Sequence, residues 1–264
     1  MIQKSIHKLL YYLPLNYKKR KYYKSLMASQ YFSLELIEKN QIVQLKNICL
    51  YAKENTNYYN LLLEKIDFNQ FSLNSFQSIP FLTKEIIKTR FNELVAPEIP
   101  ENQKRLDSTS GSSGKKTNFY KYLKNKKLIA LDWRGLSWLG GHLGDMEIRI
   151  WGAHSDIPAY KTVAGKIRSY LKNNLILSGN VLDYQKCIEY VNIINKKKPE
   201  RLVGYPSTLS FLARTILKHN LRVHPPHFAI TSGEMLYTWQ RDIIQKAFGC
   251  KVYGFYGCRE VGMI

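Results

Sequence analysis

The sequence predicts an α/β protein, with a helical N-terminal region at 1–105 and an α/β region at 106–264. Three observations point there. From Thr117 onward, short apolar strands alternate with amphipathic helices, the order that builds a parallel sheet covered by helices. Several of those strands run into small or polar residues: Gly204-Tyr205-Pro206-Ser207, Thr231-Ser232-Gly233-Glu234 and Tyr256-Gly257 to Glu260. Ligands of open parallel sheets bind at such carboxyl ends. Ahead of the alternation lies a hydroxyl-rich loop, Ser108 to Lys116, suited to wrapping phosphates.

In the N-terminal region, Ile42, Leu45, Ile48, Cys49 and Ala52 recur at spacings near three and four, as one buried helix face requires. Asn55 to Asn60 reads as a break, and Leu61-Leu62-Leu63 opens a short segment. Pro80 favours an extended approach, and Thr83 is placed to cap a helix from Lys84 to about Leu94. Pro97 and Pro100 are expected to stop regular structure before the loop. Beyond the loop, strands are expected at Thr117 to Tyr122, Glu147 to Trp151, Leu175 to Leu177, Arg201 to Val203, Phe228 to Ile230 and Lys251 to Phe255. Helices are expected between them: Lys126 to Leu139, Lys161 to Leu171, Asp183 to Lys198, one ending near His219, and Tyr237 to Phe248. Gly140-Gly141 and Gly249 supply helix stops, and Asp183 a helix start.

The chain of 264 residues is long enough to bury a substantial core, and 45% hydrophobic content is that of a globular protein. A net charge of +20 would suit nucleic acid, an anionic membrane surface or a phosphorylated substrate. No single block of like charge dominates, so a composition bias spread over the chain accounts for it as well. The four cysteines, Cys49, Cys187, Cys250 and Cys258, make no C-x-x-C pair, which argues against a zinc knuckle and fits a reducing cytoplasm. The apolar patch from Leu9 to Leu15 is too short and broken for a signal peptide or a membrane span. A basic amphipathic helix lying on a membrane is a separate option for this N-terminus.

The loop reads Ser108-Thr109-Ser110-Gly111-Ser112-Ser113-Gly114-Lys115-Lys116. Its two glycines permit backbone angles that a Cβ disfavours. Its hydroxyls and N–H groups can converge on an anion, and its lysines add positive charge. Ser110, Gly111, Ser112, Ser113, Gly114 and Lys115 are the candidate phosphate-binding residues. The loop is not a P-loop, since Thr109 and Lys116 stand where that motif needs Gly and Ser or Thr. A plain flexible linker has the same composition. Tyr256 offers a flat ring to a base, and Glu260 a carboxylate to magnesium bridging phosphates. His154, Tyr205 and Pro206 are candidates to line a substrate pocket. His154 and Tyr205 have plain structural alternatives.

With these residues in view, the chain resembles the adenylate-forming (AMP-binding) superfamily, and more closely the phenylacetate–CoA ligase family, which includes members linked to capsular polysaccharide biosynthesis. Four stretches carry the resemblance: Ile79-Pro80-Phe81-Leu82-Thr83-Lys84, Ser108 to Lys116, Thr231-Ser232-Gly233-Glu234, and Tyr256-Gly257-Cys258-Arg259-Glu260. It implies that Ser232, Gly233, Glu234, Tyr256 and Gly257 border adenine and that Glu260 serves the metal. It implies ATP and Mg2+ as cofactors, a small carboxylic acid as substrate, and coenzyme A as a candidate acyl acceptor. Arg259 departs from the Thr or Ser usual in the superfamily.

The resemblance also implies that the family's ribose-binding Asp, its hinge and a small domain with a catalytic Lys lie beyond Ile264. No catalytic residue is therefore assigned. The expectation is a truncated or split acyl-adenylate-forming ligase that is inactive alone, with a complementing C-terminal polypeptide as a candidate partner. The alternatives are a non-catalytic nucleotide-binding or scaffold protein and, less favoured, a basic nucleic-acid-binding module.

Overall fold

The computed structural model describes residues 12–109, 116–152, 162–258 and 260–263. The chain forms two compact units, one of residues 1–23 with 128–264 and the other of residues 24–127.

In the second unit, helix α1 (Tyr17–Ser29), which begins in the first unit, leads to α2 (Leu34–Asn55) and α3 (Asn57–Leu62). Ser33 caps α2, its hydroxyl accepting from the Leu36 N–H. Of the face expected to be buried, Cys49 is buried, while Ile42, Leu45 and Ala52 are half-buried. Ile48 is a correction: it is 58% exposed. One position before Cys49, it lies about 100° around the helix and off the buried stripe. The expected break at Asn55 to Asn60 is also corrected. The Thr56 hydroxyl accepts from the Tyr59 N–H and starts α3 at once. Short helices α4 (Leu73–Gln77) and α5 (Lys84–Thr89) follow. Thr83 caps α5 as expected, and the rest of the predicted helix tightens into a 3-10 turn, Phe91–Leu94. Cys49, Leu63 and Phe71 form a small core, with Phe68 stacked on Phe71.

The prolines at 97 and 100 do not end regular structure before the loop. Strand β1 (Lys104–Ser108) pairs antiparallel with β2 (Asn118–Tyr122), from Lys104 opposite Tyr122 to Ser108 opposite Asn118. The predicted strand at Thr117 to Tyr122 therefore lies in a hairpin and not in the parallel sheet. Its signal was the alternation of β2; the partner strand, Lys-Arg-Leu-Asp-Ser, is too polar to announce itself. A salt bridge of 2.7 Å from Lys121 to Asp107 ties the two strands.

The first unit holds the expected parallel sheet. Its strands are β3 (Glu147–Trp151), β4 (Asn174–Ser178), β5 (Arg201–Gly204), β6 (Phe228–Thr231) and β7 (Lys251–Gly254), in the order β4-β3-β5-β6-β7. The helices are α6 (Lys127–Trp138), α7 (Val163–Lys172), α8 (Tyr184–Lys197), α9 (Pro206–Lys218) and α10 (Thr238–Phe248). Period-two alternation splits the strand residues between two faces. Ile148, Ile150, Leu202, Ala229 and Val252 pack with Cys187, Val191 and Ile194 of α8, Leu209 and Leu212 of α9, and Ile244 and Phe248 of α10. On the other face, Val203, Phe228 and Ile230 pack with Leu136 of α6 and with Tyr253. Each fully buried Leu or Ile here contributes about 1.5–3 kcal/mol through removal of apolar surface from water.

Helix ends follow the sequence signals. The Asp183 carboxylate accepts from the Lys186 N–H at 2.8 Å, and Gly249 closes α10 with φ +63°. At the amino ends of the strands, Arg201 Nε donates to Glu147 at 2.8 Å, and Arg149 donates to the same carboxylate at 3.0 Å. This ion cluster lies at the strand starts, at the opposite end of the sheet from the strand-end loops.

Among the described residues, no helix is long and apolar enough to cross a membrane. A short hairpin, β8 (Gly257–Cys258) with β9 (Gly262–Met263), follows the sheet.

Candidate functional site

The carboxyl ends of β3, β5 and β6 meet on one ring. Tyr205, which follows β5, stacks on Trp151 at the end of β3, with centroids 4.4 Å apart and planes at 24°. Two glycines let neighbouring backbone press against the same ring. A Cβ at Gly152 would fall 3.3 Å from Tyr205 Cε2, and one at Gly233 would fall 2.6 Å from Tyr205 Cε1. Gly233 also has φ +84°, a conformation that favours glycine. Ladder hydrogen bonds run past the strands proper and hold these loops in place: Gly179 N–H to Trp151 C=O at 2.9 Å, Ser232 N–H to Gly204 C=O at 3.2 Å, and Phe255 N–H to Thr231 C=O at 2.7 Å.

Glu234 has a defined task in this rim. Its carboxylate accepts from the Ser207 backbone N–H at 3.0 Å and from the Ser207 hydroxyl at 2.9 Å. Ser207 lies in the first turn of α9, whose N-cap, Tyr205, makes no side-chain capping bond. Orphan N–H groups and the positive end of the helix dipole favour an acceptor there. Glu234 supplies it from the next strand-end loop. The signal was present in the sequence: a helix opening on Tyr-Pro lacks its own capping oxygen.

Of the sequence candidates, Ser232, Gly233, Glu234 and Tyr205 are thus brought together. Pro206 opens α9 and is buried. Tyr256 is 75% exposed, and Gly257 pairs with Met263 in the final hairpin. A Cβ on Gly257 would lie 2.4 Å from the Gly262 carbonyl oxygen, so this hairpin requires glycine. Glu260 is exposed in its turn. Ser110, Gly111, Ser112, Ser113, Gly114, Lys115 and His154 lie outside the described residues. The neck of the hydroxyl-rich loop is described. Thr109 N–H donates to Thr117 C=O at 3.0 Å, and Thr117 N–H donates to Thr109 Oγ1 at 3.1 Å.

Among the described residues, no three His, Cys, Asp or Glu side chains gather as a metal site. Magnesium does not demand such a cage, because it commonly takes one or two carboxylates together with phosphate oxygens and waters. Glu260 fits that donor set. Sequence reasoning treated Trp151 and Tyr205 separately and missed their stacking, and it missed Asn180, whose Oδ1 would lie 2.9 Å from a Cβ on Gly152. A shallow groove of about 510 Å³ runs along α10 and β7, lined by Arg241, Gln245, Cys250 and Lys251 among others. None of the sequence candidates lines it.

Solved structures share this architecture. The chain superposes on 2-hydroxyisobutyryl-CoA ligase in complex with 2-HIB-AMP and CoA, in the thioesterification state, with a TM-score of 0.67 and 20% identity, covering 86% of this chain and 50% of that one. An open conformation of the same ligase gives 0.64 at 20% identity, over 84% and 53%. The chain has the fold of the adenylate-forming CoA ligases, over the part of that fold that it spans. Protein CapK of Staphylococcus aureus is 27% identical over 216 residues, 80% of this chain and 47% of CapK. The chain therefore spans about half the length of the relatives it matches. No family model matches it. The helical segment, the parallel sheet and the resemblance to the adenylate-forming superfamily expected from the sequence are in agreement with these findings.

Proposed function

We propose that this chain provides the nucleotide- and acid-binding face of an ATP-dependent carboxylate-activating ligase. The observation that carries it is the convergence of three strand-end loops on Tyr205, in a fold shared with a ligase whose structures hold an acyl adenylate and CoA. Parallel α/β sheets bind ligands at that end.

In this reading, one substrate carboxylate oxygen attacks the α-phosphorus of ATP. A carboxyl–phosphorus bond forms, the bond to the bridging oxygen breaks, and pyrophosphate leaves with that electron pair. The exposed ring of Tyr256 stacks on adenine, with Ser232 and Gly233 at its border. Glu234 works through Ser207, holding the α9 end and the Gly233 loop together. Ser110 to Lys115 would bind the phosphates, and backbone N–H donors and Lys115 there would favour the charge that develops in the transition state. Glu260 would hold a divalent cation, whose charge offsets that of the phosphates. Tyr205, Pro206 and His154 would serve the acyl substrate, coenzyme A is the acceptor, and the setting is the cytoplasm.

The test is ATP binding by calorimetry, with and without magnesium, followed by pyrophosphate release on a panel of aryl and aliphatic acids. Saturable ATP binding is expected. It should weaken on the order of tenfold in Gly114→Val, as a set of charge-assisted hydrogen bonds is lost, while circular dichroism stays unchanged. Magnesium dependence should diminish in Glu260→Gln. Absence of ATP binding, or equal affinity in wild type and Gly114→Val, would overturn the proposal.

A further inference from the structure

The first 34 residues carry seven Lys or Arg and no Asp or Glu, interleaved with aromatic residues. The structure gives this asymmetry a surface. Along α1, the exposed positions are Tyr17, Lys18, Lys21, Tyr22, Lys24, Ser25 and Ala28, spaced so that they share one side of the helix. The other side, with Tyr23, Leu26 and Met27, is half-buried, and Tyr23 meets Trp133 edge-on at 6.1 Å. Two other cations of the helix are held locally, Lys19 on Asn16 at 2.6 Å and Arg20 on the Leu13 carbonyl at 3.1 Å. Lys18, Lys21 and Lys24 thus stand in a row with Tyr17 beside them. The turn after the helix exposes Tyr31 at 83%, and Leu34, the first residue of α2, is 71% exposed.

We propose that this face docks on a bilayer surface rich in anionic lipid. Three observations favour that partner. Lysine ammonium groups at the end of long stems match a layer of lipid phosphates and carboxylates. Tyrosines, part apolar and part polar, suit the headgroup level. The exposed aliphatic Leu34 at the start of α2 suits the acyl boundary and offers nothing to a nucleotide base. Single-stranded nucleic acid would instead be served by rings on a concave platform. The face has no residue in common with the strand-end rim, so the inference stands independently of the carboxylate-activation proposal.

The experiment is vesicle co-sedimentation of the full chain, using phosphatidylcholine vesicles with and without phosphatidylserine. Binding is expected only with phosphatidylserine, and it should fall as salt rises from about 0.1 to about 0.5 M, because the charges are surface-exposed. The triple variant Lys18→Gln/Lys21→Gln/Lys24→Gln should bind on the order of a hundredfold more weakly, each lysine contributing about a fivefold factor near such a surface. Tyr17→Ala should weaken binding further at constant charge. The control is Lys196→Gln/Lys197→Gln/Lys198→Gln, the same charge change at another exposed site, which should leave binding unchanged. Equal loss in that control would mean that net charge alone is read, and would overturn the proposal. So would equal pelleting with both vesicle types, or oligonucleotide binding that needs the same three lysines while vesicles are ignored.

Discussion

A Cβ at Gly233 would meet the ring of Tyr205 at 2.6 Å, and the backbone there has φ +84°. Both facts bear on one substitution. Gly233→Ala must strain the loop, move the ring, or both. A residue forced into a left-handed conformation costs on the order of 1–3 kcal/mol. The urea midpoint should fall accordingly, and the near-ultraviolet circular dichroism of the Trp151–Tyr205 pair should change with it. A wild-type midpoint and spectrum would show that the loop accommodates a methyl group. The sequence disclosed part of this. Gly233 after an apolar strand was legible as a tight strand end, and Tyr205 as a pocket candidate. Their contact was not, because it joins residues on different strands whose order in the sheet no local pattern encodes. The Glu234–Ser207 pair was hidden for the same reason. Cys250 is a simpler case. Burial pushes its thiol up to about 11, which keeps it in the poorly nucleophilic thiol form at neutral pH.

At the scale of elements, β3 and β5 are linked at their starts by the Glu147 carboxylate between Arg149 and Arg201. Burial pushes this carboxyl up, but the two guanidiniums outweigh burial and hold it below the usual carboxylate range. The folded state therefore binds its proton less readily than the unfolded chain does. The stabilisation is complete above the ordinary glutamate range and is lost as pH falls through the depressed folded value. In Glu147→Gln this acid-limb contribution should vanish. Stability at neutral pH should drop by about 3–5 kcal/mol, since removing one partner leaves buried guanidinium charge uncompensated. Urea midpoints across pH measure both effects, and parallel acid limbs in wild type and variant would contradict them. Elements with strong periodicity, such as Glu147 to Trp151 or Asp183 to Lys198, were readable because one face of each is buried. Strand β1 was not, because both its faces are polar or half-exposed and its identity depends on the antiparallel partner across the loop.

At the scale of the molecule, the two units differ in how much core each one owns. Among the described residues, the largest buried cluster of the sheet unit gathers fifteen residues from four strands and three helices, whereas that of the helical unit is Cys49, Leu63 and Phe71. Local opening is opposed mainly by the buried apolar contacts it must break. The long helix α2 keeps most of its side chains in water, and Leu36, Val43, Ile48 and Tyr51 are all exposed. Helices without a packed face gain little from propensity alone. The helical unit should therefore open more readily than the sheet. In native-state hydrogen exchange, amides of β5, β6 and α9 should exchange only through global unfolding. Those of α2 and α3 should exchange by sub-global opening, at a free energy lower by about 2 kcal/mol or more, which lies within the span seen between cooperative units of one protein. A core substitution separates the two processes. Leu212→Ala, at a fully buried position of α9, should cost about 2–5 kcal/mol and accelerate the sheet amides by that amount. The α2 amides should keep their wild-type rates as long as their own opening stays the easier route. Equal acceleration of both sets would show that the units open as one.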